Sequence, residues 1–346
     1  MRRVFFPLDQ QLGVSETHWS ESIAQQAVWL YGQVEDDLAE QVLQKIGGLN
    51  ISDTSIWRQA QKWGEKIRVA ENVQAIVAIG LPQKGQVIQG QVPHERSMGV
   101  AMDGGMMNVR KEGWKELKVG TVFDIEPRVE MDPVTQERTP HGHAVCNSYV
   151  AVLGGPERFG RRVWAEAVRR EFPEAGDSIV IGDGASWIWN VAGEHFGTSR
   201  QVVDWYHAKE HLYAVAHQLF GEGSAEAHRW VRGMETPLYQ GQAVRIAEQV
   251  QALVQRHRRV AKRLRQEAGY FKHHQRRMQY LETREDGFPI GSGMVESGCK
   301  QFRARFTGPG MRWNRESAER LLPVRAAILS KRFDQVWRTV YNSPPM

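Results

Sequence analysis

The chain has 346 residues, 41% hydrophobic and 25% charged, with a net charge of +5 and only two cysteines, Cys146 and Cys299. No apolar run approaches the ~18 residues of a membrane span, and the N-terminus has no signal-peptide core, so no membrane partner is expected and the protein reads as cytoplasmic. Two cysteines exclude a disulfide framework and a cysteine zinc cluster.

The charge is segregated. Residues 256–277 ("RHRRVAKRLRQEAGYFKHHQRR") hold nine Lys/Arg against one Glu, and residues 297–315 hold five Lys/Arg and no acid, which leaves the rest of the chain net acidic. Such stretches suit a polyanion partner, although a basic helix face is equally a solvated surface.

In chain order, residues 1–79 read as an N-terminal helical domain. "SESIAQQAVWLYGQ" and "VEDDLAEQVLQKIGG" carry apolar residues at three- and four-residue spacing, Gly47-Gly48 ends the second helix, and Ser52 caps a third. The order fits a DNA-binding helix-turn-helix or a three-helix bundle used for packing or dimerisation. Residues 80–97 read as a linker. From 98 the texture is strand-like. "MGVAMDGGMMNVR" alternates around a turn at Gly104-Gly105, and "WKELKVGTVFDIE" forms a hairpin turning at Gly120. After an irregular stretch, a helix (156–172), a strand ("SIVIGD"), a helix ("ASWIWNVAGEHF"), a strand ("RQVVDW") and a helix ("YHAKEHLYAVAHQLF") alternate. These elements give an α/β core whose first part spans 98–220. Residues 221–286 form a helical, basic insertion. Residues 287–335, opening at "GFPIGSG", return to the core as a closing helix and basic tract, and 336–346 is a tail.

Carboxylates fall at telling places. Asp103 ends the first strand and Asp183 ends an apolar strand between two glycines, where ligands of open α/β sheets bind. Glu296 opens a helix after a glycine-rich break. An Asp beside Gly is as readily a turn residue, and a Glu in a first helical turn serves the helix dipole. Converging on one edge, the three would repel one another unless hard cations neutralised them. Two Mg²⁺ ions, with Mn²⁺ as substitute, are the natural partners. The flanking glycines would leave clearance for ions or a nucleic-acid backbone.

Around Glu296, the tract "KQFRARFTGPGMRWNR" offers Lys300, Arg303, Arg305 and Arg312, with Trp313, as phosphate and DNA contacts. Of Trp187 and Trp189, two residues apart on one helix, one packs in the core and the other can stack on a base; Trp187 is taken as the DNA contact. "HAKEH" at 207–211 formally matches an inverted zinc-peptidase motif, but five residues in a chain with 12 histidines carry little weight.

Taken together, "MDGGMMNVRKEGWKELKVGTVF", "IGDGASWIWNVAGEHF", "VDWYHAKEHL" and "GSGMVESGCKQFRARFTGPGMRWNRESAERLL" resemble the motifs of bacterial insertion-sequence DDE transposases. The likeness is to the ISKra-type family, related to the Mutator-like and hAT branches, and it covers about residues 5–335. The resemblance implies an RNase H-like core with an all-helical insertion and Asp103, Asp183 and Glu296 as catalytic, metal-binding triad. It places Asp204 and His207 near the scissile phosphate. The implied activity is metal-dependent cleavage at element ends and strand transfer into target DNA. A prokaryotic, nucleoid-associated protein acting as a homodimer or higher oligomer on DNA is implied too. Family members often begin with a cysteine-rich segment, so a separate cysteine-rich subunit is an expected partner. An RNase H-like nuclease without strand transfer and a non-catalytic domesticated regulator remain as alternatives.

Overall fold

The computed structural model describes residues 19–79 and 94–342; of the expected linker, 80–93 lie outside the described residues. β1 (His94–Val109) is the centre of the molecule. It pairs antiparallel with β2 (Gly113–Met131), which pairs antiparallel with β3 (Arg138–Leu153). On its other side β1 runs parallel to β4 (Ala175–Gly182), and β4 parallel to β5 (Arg200–Val203). The result is one mixed five-stranded sheet of order β3-β2-β1-β4-β5 in an α/β architecture.

The meander differs in detail from the sequence expectation. Residues 94–97 belong to β1 rather than to a linker, and neither Gly104-Gly105 nor Gly120 is a turn. The chain reverses instead at 110–112, where Lys111 takes a positive φ of 67°. The glycines serve close packing. A Cβ at Gly120 would stand 2.7 Å from Val163, and one at Gly105 3.0 Å from the Arg303 guanidinium. The stretch read as irregular contains β3, whose apolar alternation is interrupted by His141, His143 and Asn147.

Helices cover both faces of the sheet. α4 (Pro156–Arg169) and α5 (Ser186–His195) lie on one face, with Phe159 and Val163 packed over Gly120. The other face carries α11 (Gly293–Phe306) against β1 and β2, and α12 (Arg315–Leu329) against β3. α1 (Glu21–Gln33), α2 (Asp36–Gly47) and α3 (Asp53–Ile79) pack onto the same body. α3 crosses α12 closely enough that a Cβ at Gly64 would overlap the Arg320 carbonyl, and Trp63 meets Trp337 of α13 (Phe333–Tyr341) at 4.4 Å. One continuous apolar core joins Ala24, Trp63, Val180, Phe271 and Trp337. After β5 comes α6 (Trp205–Phe220), and α7 (Ala225–Tyr239), α8 (Ala243–Arg256), α9 (Ala261–His274) and α10 (Tyr280–Glu285) fill the stretch read as the helical insertion. No helix among the described residues is long and apolar enough to cross a membrane.

Candidate functional site

Parallel pairing sets the site. Met102 of β1 is in register with Gly182 of β4, and Gly182 with Val203 of β5. The next residue on each strand is an aspartate, so Asp103, Asp183 and Asp204 stand in a row along one sheet edge. The edge lies at the carboxyl end of the parallel strands, where side chains and loops are free of the ladder and open to a ligand. β1 itself does not end there; beyond Asp103 it stays paired with β2 up to Val109.

The three aspartates have different surroundings. Asp103 is half-buried and faces α11, taking hydrogen bonds from the Gly104 N–H at 2.6 Å and from the Cys299 thiol. Burial raises its carboxyl above the usual range, and the charge of Asp183 adds to the rise; the Cys299 and Gly104 hydrogen bonds and the Arg303 charge oppose it. Burial likewise pushes the Cys299 thiol well up, so it is a proton donor to the carboxylate rather than a nucleophile.

Asp183 closes β4 and accepts from the Ala185 N–H at 2.8 Å. The next residue, Gly184, has φ 104°, a conformation L side chains rarely adopt. Gly182 and Gly184 do not leave clearance for ions. A Cβ at 182 would strike Ile188 at 2.7 Å, and one at 184 would strike the Tyr270 ring at 2.8 Å. Tyr270 belongs to α9, and its hydroxyl donates to the Asp183 carbonyl at 3.1 Å.

Asp204 is buried at 2% exposure, and both its oxygens are committed to backbone. One accepts the His207 N–H at 2.7 Å, capping α6; the other accepts the Ser292 N–H that opens α11. Burial raises its carboxyl, those N–H groups lower it, and the charge of Glu296 raises it further. Asp204 is thus a strut between β5, α6 and α11, while its neighbour in register, Asp183, is left half-exposed.

Glu296 sits in the first turn of α11, half-buried, with Ser292 Oγ donating to it at 3.2 Å. On the same helix, Lys300 and Arg303 are exposed. Glu296, Lys300 and Arg303 recur at four and three residues, so they share the helix face that carries Arg303 to Gly105 and Asp103. Arg312 is exposed too, near the end of β1, where its carbonyl accepts from the Arg110 guanidinium at 3.2 Å.

Two expected DNA contacts are interior. Arg305 is 3% exposed; its Nε donates to the Tyr31 carbonyl at 3.0 Å and its guanidinium lies over the Tyr31 and Trp313 rings. Trp313 is buried, its indole N–H donating to the Phe306 carbonyl at 2.9 Å, and its backbone bridges to β1 at Val109. Both are packing residues rather than surface contacts: Arg305 falls on the buried stripe of Phe302 and Phe306, and Trp313, beyond the helix, packs on the Phe306 ring at 5.0 Å. Trp187 is half-buried, edge-on to Phe159 at 5.4 Å with the Lys118 ammonium over its ring at 4.8 Å; Trp189 is the core member of the pair. His207 pairs with Glu210 at 3.2 Å, and His211 with Glu267, so the two histidines have separate partners.

Sequence reasoning missed Cys299, Tyr270 and His274. His211 stacks on Tyr270 at 3.5 Å and Tyr270 meets His274 at 4.8 Å, which forms an aromatic seat under the Asp183–Gly184 loop. For Tyr270 and His274 the signal was an aromatic and histidine face on a helix read as basic.

Asp103 and Asp183 offer hard oxygen donors at a half-buried edge, and Asp103 is destabilised there as an anion despite Arg303 nearby. That donor chemistry fits Mg²⁺ or Mn²⁺, which prefer carboxylate oxygen, over softer metals. Among the described residues no three His, Cys, Asp or Glu side chains already form a cluster that could hold one metal ion. No model of a known protein family matches the chain, and no curated protein matches it.

Proposed function

We propose that this chain is a DDE-type transposase with an RNase H-like core, cutting DNA at element ends and joining them to a target. The observation that carries the reading is the in-register pair Asp103–Asp183 at the sheet edge, with Arg303 of α11 beside Asp103 and Glu296 of the same helix near Asp204. The mixed sheet of order β3-β2-β1-β4-β5, followed by a helical insertion and a closing helix, is compatible with the core the motifs imply.

In this reading Asp103, Asp183 and Glu296 would hold two Mg²⁺ ions. Bound there, such ions supply activation of an attacking water or 3′-hydroxyl and stabilisation of the leaving oxygen. The chain's own groups do the rest. Arg303, beside Asp103, and Lys300 one turn earlier present cations that form no salt bridge among the described residues to a phosphate entering the edge, fixing the backbone without reading sequence. Asp204 holds the start of α11 so that Glu296 stays over the row, and Ser292 Oγ orients its carboxylate. The Cys299 thiol limits the rotation of Asp103 by donating to it. Joining two ends to one target calls for at least two copies of the chain.

The test uses a supercoiled plasmid carrying the DNA that flanks the coding region. Wild-type protein with Mg²⁺ should cut it at defined positions, and Asp183→Asn should lose about a hundredfold or more in rate. Unchanged Mg²⁺-dependent cleavage by Asp183→Asn would remove the assignment. Products that are shortened but never joined would favour the nuclease alternative, and salt-sensitive binding with no metal-dependent product the regulator.

A further inference from the structure

α9 has two faces with opposite characters. Inward, Leu264, Glu267, Ala268, Phe271 and His274 are buried, and Tyr270 seats the Asp183 loop. Outward, Lys262, Arg265, Gly269 and Lys272 recur at three and four residues and are all exposed. Arg258 and Arg259 continue this face in the preceding turn and Arg276 in the following one, all exposed. None of these six cations makes an ion pair among the described residues, whereas Arg263, off the stripe, is held by Glu267 at 2.7 Å.

By comparison, Arg158, Arg200, Arg315, Arg320 and Arg332 are each paired with a carboxylate. A solvated helix face normally carries acids among its bases, which relieves like-charge repulsion at i, i+4. The outer face of α9 carries none, and at its centre a glycine with nothing within 4 Å of a built Cβ keeps the helix surface low. A mid-helix glycine costs roughly 1 kcal/mol against alanine, so it is not there for helix stability. Closely approaching phosphates would use both the free charge and the missing side chain.

We propose that the outer face of α9, with its flanking turns, is a second contact surface for the phosphate backbone of duplex DNA. It rests on DNA being the substrate, and it goes beyond the site by adding a track outside it. The 14 residues of α9 span about 21 Å, alongside which a duplex carries roughly twelve phosphates. Because the opposite face of the same helix holds the Asp183 carbonyl through Tyr270, a duplex on the track lies at a fixed offset from the carboxylate row.

The experiment is fluorescence-anisotropy titration of a duplex of arbitrary sequence, about forty base pairs long, in EDTA from about 50 to about 200 mM KCl. The variants are a triple Lys262→Gln, Arg265→Gln, Lys272→Gln and a single Gly269→Glu, the latter a substitution an exposed helix accepts without loss of fold. Expected are tenfold or greater weakening in both, and a salt slope reduced by about two to three in the triple variant. Wild-type affinity and slope in both variants would overturn the proposal, as would a loss confined to single-stranded RNA. Wild-type protein that binds no duplex at low salt would overturn the DNA reading along with it.

Discussion

The Tyr270 hydroxyl donates to the main-chain carbonyl of Asp183 across 87 residues of sequence, and its ring fills the space beside Gly184 where a side chain would otherwise be. The helical insertion is therefore part of the site's framework: it fixes the backbone from which the middle carboxylate projects. Tyr270→Phe keeps the ring and removes only the hydrogen bond. It should cost about 1 kcal/mol in denaturant stability and lower single-turnover cleavage about tenfold with unchanged DNA affinity in EDTA. Equal loss of affinity and rate would mean that Tyr270 acts on DNA rather than on Asp183.

Asp204 supports the opposite prediction from the one its motif suggests. With both oxygens on the backbone N–H groups of His207 and Ser292, it is structural first. Asp204→Ala should destabilise by about 2–4 kcal/mol, from a lost cap plus a buried N–H left without a partner. Asp204→Asn, which retains one acceptor oxygen, should lose less, and cleavage should follow the stability of the two variants.

Arg305 and Arg303 are two residues apart and should separate cleanly. Arg305→Ala strands the Tyr31 carbonyl and empties the space between the Tyr31 and Trp313 rings, so unfolding should become about 2–4 kcal/mol easier. Arg303→Ala, on an exposed side chain, should stay within about 0.5 kcal/mol of wild type and show its effect in DNA binding and cleavage.

Acid should loosen the seat under Asp183. Burial, with the nearby charges of His273 and Arg277, depresses the His274 imidazole from 6.5 to about 4. A histidine whose folded value is depressed contributes stability fully present above pH 6.5, and that stability is lost as pH falls toward about 4, because the unfolded chain takes up the proton first. Denaturation at steps across that window should show a loss of about 2 kcal/mol that His274→Gln removes. His141 and His195 are shifted the same way and leave a residual slope in the variant.

Part of the candidate site was legible because its signals are local. Asp183 announces itself where an apolar run ends between two glycines, and Glu296 where a glycine-rich break opens a helix. The register that lines Asp103 up with Asp183 was not legible, since it depends on β1 pairing with a strand some eighty residues away. The glycines misled for a definable reason: glycine marks both positive φ and close approach, and at 104, 105 and 120 the second use applies. Arg305 and Trp313 were read from charge and composition, yet Phe302, Arg305 and Phe306 already share one helical face, and that spacing could have placed Arg305 inside. Cys299 and Tyr270 reach the carboxylates only through the fold.

Strand joining with pre-cut ends tests the transposase reading of the carboxylate row without an intervening step. Oligonucleotide duplexes ending in the element's own flanks, with free 3′-hydroxyls, are incubated with target plasmid and Mg²⁺, and joined product is counted for wild type, Asp103→Asn, Asp183→Asn and Glu296→Gln. The account predicts joined product from wild type, none with EDTA, and a loss of about a hundredfold or more in each variant with duplex binding intact. Joined product at wild-type level from Asp103→Asn or Asp183→Asn, in folded protein, would contradict it.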